Sequence, residues 1–359
     1  MGVIAMVYVI ILVFVYMQIS FAQDNIYEKM SPKEVFETLC SSCHGKDGGS
    51  IPENQWRSMG LDVPPANFRD KLFSSKEPLR DWINVIRDGG EKHGFSKHMP
   101  SFKDLLSEEK IRELALYLKS LGYDKNYPQG EMNFTRGFWT TKAFPEDEFL
   151  YIGGFTNYKD EKNLYKQTFY LGKRFGPAYQ WEIKASSFHQ SGVKTTGEIE
   201  GGLKWAFYHN LFQRFIAAIG AEVSLPVNSD EKWSYSPYIA IGKGFGERLS
   251  LQLSSKFIHT PDTKEQILRT SGVLHYLTSV RTKRTIVPGI EIKTEKNLRD
   301  GSGIKTWIIP QIYAGLSKRG HVAFALGFEK PLFDGAKDKY SIRAFILWDF
   351  AEGGFLEGW

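Results

Sequence analysis

The sequence predicts a multidomain chain in which a small all-α domain is followed by a larger all-β antiparallel domain. Apolar residues recur with helical spacing up to residue 122, and the spacing changes to alternation after residue 145. The alternating segments are numerous, and clusters of turn residues separate them. With 359 residues, the chain is long enough for one small and one large domain.

Residues 1–22 are predicted to be an export signal. Positions 3–17 are almost entirely apolar, and Ser20, Phe21 and Ala22 form a small-x-small cleavage site. No Lys or Arg precedes the apolar stretch, so an uncleaved membrane anchor is the alternative. In both cases the domains that follow are delivered across the inner membrane.

The charge distribution argues against a nucleic-acid partner. The chain has 46 Lys and Arg residues and 41 Asp and Glu residues, and the two signs are interleaved. Binding to phosphates requires a concentrated basic face, which no segment of this sequence provides.

The first domain is predicted to span residues 27–122, with amphipathic helices at its start and end. Ser31, Pro32 and Glu34 give the N-cap, first position and N3 position of a capping box. The closing helix runs from Ser107 to Leu121.

A third helix is centred on Trp82 and ends at Gly89-Gly90. Residues 50–75 are predicted to be a loop, because Pro52, Pro64 and Pro65 interrupt regular structure there.

The first helix leads into the run Cys40-Ser41-Ser42-Cys43-His44. A C-x-x-C-H run is the attachment signature of a c-type haem (heme c). No other cysteine occurs in the chain, whereas a zinc site normally needs four ligands and a thioredoxin-like pair needs a βαβ setting. We therefore predict one covalently attached haem c.

Met99 is the predicted sixth ligand of the haem iron. It lies in a loop before the closing helix, and cytochromes c commonly hold iron between His and Met. Two alternatives stay open. Met59 is the other candidate methionine, and His98 would give a bis-histidine site of lower potential.

Residues 27–122 resemble a class I mono-haem cytochrome c. The pattern of that family is present in order, over about a quarter of the chain: the C-x-x-C-H run, the loop Met99-Pro100-Ser101-Phe102, and a terminal helix opened by Leu106-Ser107-Glu108-Glu109. The resemblance implies that Cys40 and Cys43 carry the thioether bonds. It also implies that His44 and Met99 are the axial ligands.

Residues 146–359 are predicted to form an outer-membrane β-barrel of about twelve strands. Leu249, Leu251 and Leu253, for example, alternate with polar residues. Strands of about ten residues exceed the five or six usual in globular proteins and are typical of such barrels. The predicted strand centres lie near positions 152, 169, 182, 203, 218, 239, 253, 274, 289, 309, 325 and 345.

Aromatic residues near the strand ends fit the interfacial girdles of membrane barrels. These residues are Tyr151, Phe155, Tyr165, Tyr179, Trp181, Trp205, Trp233, Tyr238, Trp307 and Trp348. Trp359 resembles the terminal aromatic residue of outer-membrane barrels. The alternative is that Phe350 closes the last strand and residues 351–359 form a tail.

Two other interpretations of this half are open. One is a soluble β-sandwich, in which alternation also occurs. The other is a lipid-A-modifying esterase, suggested by Ser254, Ser255 and His259, but no acidic partner stands at a motif spacing. No catalytic residue is therefore predicted.

Residues 123–145 are predicted to be a linker that is either flexible or folded into the barrel as a plug. The acidic stretch Glu146-Asp147-Glu148 follows, and it either attracts cations near the pore or is an ordinary solvated face. A twelve-strand barrel is about 24 Å across between backbones. A domain the size of the first one is about 30 Å across. We therefore expect the cytochrome domain at the periplasmic mouth, where an even strand number places both chain ends.

The combination resembles the fused cytochrome–porin proteins of iron-oxidising bacteria, although the barrel predicted here is smaller. That resemblance implies an electron conduit, with Fe(II) oxidase activity as its enzymatic form. Its partners would be an extracellular one-electron donor such as Fe(II), a periplasmic cytochrome or other carrier, and outer-membrane lipid. The alternative is a non-conducting barrel that tethers a carrier cytochrome or transports a small solute.

Overall fold

A computed structural model describes residues 25–160, 163–190, 195–228, 232–333 and 336–350. The predicted leader and Trp359 lie outside the described residues. Before the barrel, the described residues form seven α-helices and two 3₁₀ turns. The helices are α1 (Ile26–Lys29), α2 (Pro32–Leu39), α3 (Ser41–His44), α4 (Glu53–Ser58), α5 (Lys71–Lys76), α6 (Leu79–Asp88) and α7 (Glu108–Leu121); the 3₁₀ turns are Glu91–His93 and Gly130–Met132.

The predicted helix boundaries agree with the capping geometry. Ser31 accepts a hydrogen bond from the backbone of Glu34, whose side chain accepts one from the backbone of Ser31, so the capping box is complete. Gly89 ends α6 with φ of 84°, a conformation that favours glycine. Ser107 caps α7, and Gly122 follows its last residue.

The loop predicted for residues 50–75 is wrong in part, because α4 and α5 lie within or overlap it. Pro52 stands at the N-cap of α4, where a helix does not need the missing N–H group. Trp56 is buried and fixes this short helix against the domain. The proline was therefore a start signal for a helix rather than an interruption.

The helices enclose a hydrophobic core. Helix α7 packs on α2 and α6, and Val35, Phe36, Ile111 and Ala115 are fully buried between them. Cys40 and Met99 pack against the edge of this core. The prospective haem ligands therefore stand on a rigid support.

Twelve antiparallel strands of the described chain close into a barrel through the pairing of β12 with β1. The strands are β1 (Glu148–Tyr158), β2 (Asn163–Phe175), β3 (Tyr179–Gln190), β4 (Thr196–Asn210), β5 (Phe215–Pro226), β6 (Ser234–Phe245), β7 (Leu249–Thr260), β8 (Glu265–Tyr276), β9 (Ile286–Asn297), β10 (Lys305–Gly315), β11 (Val322–Pro331) and β12 (Asp338–Asp349). Every predicted centre falls within its strand, so the prediction of about twelve strands is confirmed.

The side chains of the barrel alternate between an apolar outside and a polar inside. Along β9, Ile290 and Ile292 are 42% and 47% exposed, whereas Glu291 and Lys293 are buried in the lumen. A soluble barrel would show the opposite arrangement, because its apolar residues would form the core. An apolar outer face around a polar interior is typical of a barrel surrounded by lipid.

Aromatic side chains group at both ends of the barrel. At the end where the chain enters β1, Tyr179 stacks on Phe175 and Trp205 with ring centroids 5.5 and 6.0 Å apart. At the opposite end, Phe328 stacks on Tyr340 at 5.7 Å. Paired belts of this kind match the girdles of membrane barrels.

Two residues predicted for these girdles face the lumen instead. Tyr238 and Trp307 are each 5% exposed, and the Trp307 indole donates a hydrogen bond to Asp338 at 2.8 Å. Both have the inward phase of their strands. The prediction for these two residues was wrong because it rested on their position near a strand end. The alternation of side chains along the strand decides whether a residue faces the lumen or the outside.

No helix in the part of the chain that the structure describes is long and apolar enough to cross a membrane.

Candidate functional site

The predicted haem-binding residues line one cavity. Helix α2 ends at Leu39, and the single turn of α3 brings Cys40, Cys43 and His44 to the cavity wall. The cavity has a volume of about 650 Å³. Ligand pockets usually measure about 300–1,000 Å³, so the space is suited to a large cofactor.

The wall of this cavity is mostly apolar. Its apolar members include Leu39, Ala66, Phe68, Trp82, Ile86, Phe102 and Leu114. Such a wall excludes water from a bound macrocycle and leaves its orientation to a few polar groups.

The imidazole of His44 is held in a defined orientation. Its Nδ1 lies 3.1 Å from the carbonyl oxygen of Ala66, and its ring stacks on Phe68 at 4.5 Å. With the proton on Nδ1, the lone pair of Nε2 is free to bind a metal. Burial lowers the pKa of His44 although the Ala66 carbonyl opposes the shift, so the ring favours its neutral, ligating form.

Cys40 and Cys43 are free thiols that are not joined by a disulfide. Burial, with a smaller contribution from Cys43, raises the pKa of Cys40 to about 12, so this thiol stays protonated at neutral pH. The Cys43 sulfur lies 4.0 Å from the Ser42 hydroxyl, which donates a weak hydrogen bond to it.

Met99 lies on the same cavity, at the edge of the hydrophobic core. Its carbonyl oxygen accepts a hydrogen bond from Gly90 at 2.9 Å. A Cβ atom on Gly90 would stand 2.3 Å from the Ser96 carbonyl oxygen and 3.0 Å from the Met99 Cβ. Glycine at this position therefore allows the methionine loop to approach α6.

The two alternatives to Met99 lie in different surroundings. Met59 is 43% exposed and does not line the cavity. His98 reaches the cavity wall but is exposed, whereas Met99 is partly buried against the core. The surroundings therefore favour Met99 as the predicted sixth ligand.

The barrel also contributes to the cavity wall, through residues that the sequence did not indicate. Lys283 lies in the turn between β8 and β9, and Lys318 and Arg319 lie in the turn between β10 and β11. A signal was present: turns that follow even-numbered strands lie at the end of the barrel where the chain enters β1. Basic residues in those turns are thus brought to the side of the helical domain.

Direct contacts join the helical domain to this end of the barrel. The Lys283 amine lies 2.8 Å from Glu77 and 2.8 Å from Asp81. Asn84 donates a hydrogen bond to the Val280 carbonyl at 2.9 Å. The haem cavity therefore opens toward the barrel turns.

Residues 133–147 run into the barrel, and we call this segment the plug. The carboxylate of Glu291 accepts hydrogen bonds from the backbone of Phe138 and Trp139 at 2.8 and 2.9 Å. It also accepts two from the backbone and hydroxyl groups of Thr140, at 2.6 Å each. One buried carboxylate on β9 thus fixes the tip of the plug.

The indole of Trp139 lies among three cationic side chains. The Lys293 amine is 4.1 Å from the ring centroid, and the Arg343 and Arg269 guanidiniums are 4.3 and 4.8 Å from it. Its Nε1 donates to Glu329 at 3.0 Å. These contacts hold the ring rigidly across the lumen.

A second cavity, of about 210 Å³, lies between the plug and the barrel wall. Trp139 and Arg136 of the plug line it together with charged strand residues such as Lys166, Glu198 and Arg343. We call it the lumen cavity. It provides polar space on the plug surface within the barrel.

Comparison with known proteins shows what the helical domain is similar to. Residues 28–118 match the family model for cytochrome c oxidase, cbb3-type, subunit III. Over 91 residues the chain is 34% identical to the Cbb3-type cytochrome c oxidase subunit CcoP of Helicobacter pylori (strain 52). This part of the chain is therefore similar to c-type cytochrome domains. The match covers 25% of this chain and 26% of that protein, so the chain spans about a quarter of the curated relative's length.

The family match implies a c-type haem, and the cavity fits one. It joins two free thiols in C-x-x-C-H spacing to an oriented imidazole and a thioether. These are the donor groups that haem c requires.

Solved structures similar to the barrel include porins and an outer membrane channel. The KdgM porin has a TM-score of 0.43 at 12% identity, and the NanC porin has 0.45 at 9% identity; each match covers 56% of this chain and 99% of the other. The outer membrane channel from Pseudomonas putida F1 has a TM-score of 0.41 at 10% identity, with 60% and 99% coverage. These scores carry no functional argument, so the barrel is interpreted from its own strands.

Proposed function

We propose that this protein is an outer-membrane electron-transfer protein. It would pass electrons from an extracellular one-electron donor, of which Fe(II) is the proposed example, through a single haem c to a periplasmic carrier. The observation that carries the proposal is the cavity lined by Cys40, Cys43, His44 and Met99, in a cytochrome domain joined to a closed barrel.

The roles of the cavity residues follow from their chemistry. Cys40 and Cys43 would hold the haem by thioether bonds, while His44 Nε2 and the Met99 sulfur would ligate its iron. Bound in this way, the haem would supply one-electron chemistry by cycling between the ferrous and ferric states. The protein's contribution is to orient the imidazole through Ala66 and to exclude water with the apolar wall.

The outer surface of the barrel supports a location in the outer membrane. Large apolar side chains cover it, and aromatic belts lie at both ends. The contacts of Lys283 with Glu77 and Asp81 support docking of the cytochrome domain at the mouth where the chain ends meet. With an even strand number, this mouth is the periplasmic one.

The plug favours electron passage over solute transport. Thr141 of the plug donates to Ser254 of β7 at 3.0 Å, and Glu291 of β9 holds the plug tip. The plug thus fills part of the lumen with covalent chain and hydrogen bonds, whereas a solute channel needs a continuous aqueous path. An extracellular donor would approach the plug by way of the lumen cavity.

A tethered carrier is the second candidate function, and the plug also bears on it. In this case the barrel is an anchor, and the haem exchanges electrons with partners on the periplasmic side. The segment between the predicted leader and the barrel is short and contains a single C-x-x-C-H motif, which fits both candidates. Only the side from which donors act distinguishes them.

The test uses the purified haem-loaded protein in proteoliposomes, with orientation determined by protease access to the cytochrome domain. If the protein is a conduit, Fe(II) added on the side opposite the cytochrome domain reduces the haem, as measured by absorbance. If only a donor on the cytochrome side reduces it, the conduit proposal fails and the tether stands. Absence of a pyridine haemochrome spectrum from the purified protein rejects both.

A further inference from the structure

We propose that the barrel turn between β10 and β11 binds the propionate carboxylates of the haem through Lys318 and Arg319. The inference rests on the haem attachment proposed above. It assigns to the barrel a part of the cofactor site that the cytochrome domain alone lacks.

Both side chains are held at the wall of the haem cavity. The Arg319 Nε donates to the Gly94 carbonyl at 2.6 Å, and the guanidinium lies 4.9 Å from the Phe95 ring centroid. The Lys318 amine lies 3.4 Å from the Glu91 carbonyl oxygen. The turn is therefore seated on the helical domain beside the cavity.

Gly94 makes this seating possible. It has φ of 82°, and a Cβ there would stand 3.0 Å from the Lys318 Cβ and 3.2 Å from the Arg319 Cγ. A larger residue would push the turn away from the cavity. Glycine at position 94 therefore allows the close approach of Lys318 and Arg319 to the helical domain.

Two other cations on the cavity wall already have acidic partners. Lys283 contacts Glu77 and Asp81, and Lys76 lies 3.0 Å from Asp147. They are therefore not free to neutralise the carboxylates of a cofactor.

Lys318 and Arg319 differ from those cations. Among the residues that the structure describes, no carboxylate lies within 4.0 Å of either side chain. Apart from the Nε of Arg319, its guanidinium makes no hydrogen bond in that part of the chain.

The charge of the cofactor matches these two groups. A haem carries two propionate carboxylates, and a partly buried carboxylate requires a cation or several hydrogen-bond donors. The fork of an arginine guanidinium suits a carboxylate, and the lysine amine adds a second charge. One barrel turn thus supplies the two cations that the two carboxylates need.

The experiment compares full-length variants with the parent protein. In Lys318→Gln/Arg319→Gln both cations are removed. Arg319→Lys keeps the charge but removes the fork. Arg248→Gln is the matched control, because Arg248 lies in another turn of the same barrel end. Among the residues that the structure describes, its side chain bonds to Tyr276 and Thr278 and does not reach the haem cavity.

Two readouts are measured: the midpoint potential, and the redox-difference infrared spectrum of haem labelled with ¹³C at the propionate carboxyl groups. The ferric iron carries one more positive charge than the ferrous iron. Removal of two nearby positive charges therefore stabilises the ferric form relative to the ferrous form, and the midpoint potential of the double variant falls. The labelled carboxyl bands shift in the double variant, shift less in Arg319→Lys, and stay at the parent frequencies in Arg248→Gln.

The outcomes separate this inference from the proposed function. If the haem is attached but the labelled bands and the potential of the double variant equal those of the parent, the inference is wrong and haem attachment stands. If the parent carries no covalent haem, the proposed function itself fails. Should the double variant not fold, unchanged carboxyl bands in Arg319→Lys overturn the assignment of the guanidinium.

Discussion

The haem cavity and the barrel lumen are both enclosed by buried side chains, but their walls differ in chemistry. The haem cavity has an apolar wall with a few donor groups, among them Cys40, Cys43 and His44. The lumen has buried charges that neutralise one another, such as Glu329, which lies 2.5 Å from Lys293 and from Arg343. Buried ions that are already paired leave little unsatisfied binding capacity.

This difference indicates what occupies each space. The apolar cavity retains free donors and has the volume for an external cofactor. The lumen is occupied by the chain's own plug, whose backbone satisfies the Glu291 carboxylate. The haem cavity is therefore the place for a large cofactor, and the barrel is a support whose lumen is partly filled by the plug.

The largest expected effect comes from removal of the two thiols, which tests whether haem is attached at the apolar cavity. In Cys40→Ser/Cys43→Ser we expect complete loss of covalently attached haem, because no other cysteine is present to form a thioether. Haem staining after denaturing electrophoresis measures it. Ser42→Ala, between the two cysteines, is the control and should stain like the parent. Staining of the double variant would show that the attachment site lies elsewhere.

A smaller effect is expected from the sixth ligand. Met99→Leu should lower the midpoint potential by on the order of a tenth of a volt or more, because axial ligands move haem potentials over about 0.8 V. Redox titration measures the change. Met59→Leu, at an exposed position outside the cavity, should leave the potential unchanged. If His98→Ala changes the midpoint potential and Met99→Leu does not, His98 is the sixth ligand.

The smallest expected effect concerns the lumen. Glu291→Gln replaces a carboxylate that accepts four hydrogen bonds from residues 138–140. Hydrogen bonds to a charged group contribute about 1.5–3 kcal/mol. We therefore expect the fraction of barrels with a released plug to rise roughly 10- to 100-fold.

Ion conductance in planar bilayers measures that release. Glu198→Gln is the matched control, because Glu198 on β4 also faces the lumen but pairs with Lys166 at 3.4 Å rather than with the plug backbone. Conductance of Glu291→Gln equal to that of the parent would mean that Glu291 does not retain the plug.

Local patterns were sufficient to predict much of the molecule. The C-x-x-C-H run and the alternation along strands such as β9 need only neighbouring residues. The prediction of a loop over residues 50–75 was wrong in part, because a proline can stand at the start of a helix as well as interrupt one. Tyr238 and Trp307 were wrongly predicted for the aromatic girdles, because the prediction used their position along the strand. The alternation of side chains along the strand points both into the lumen.

The contacts that were missed join residues far apart in the sequence. Glu291 meets Thr140 across a separation of 151 residues, and Arg319 meets Gly94 across 225. No local spacing encodes such pairs, because the closure of the barrel and the docking of the helical domain create them. The order of the strands does fix which turns share one end, and this is the part of the information that sequence reasoning could have used.

The cations around Trp139 do not act on its ring alone. Each cation is itself paired with a carboxylate: Lys293 and Arg343 lie 2.5 Å from Glu329, and Arg269 lies 2.7 Å from Glu295. The Glu329 carboxylate also accepts the indole N–H at 3.0 Å. The positive and negative groups therefore largely cancel at the ring, so the field that they exert on a charge at Trp139 is weak. Replacing Glu329 alone would leave the ring facing uncompensated cations.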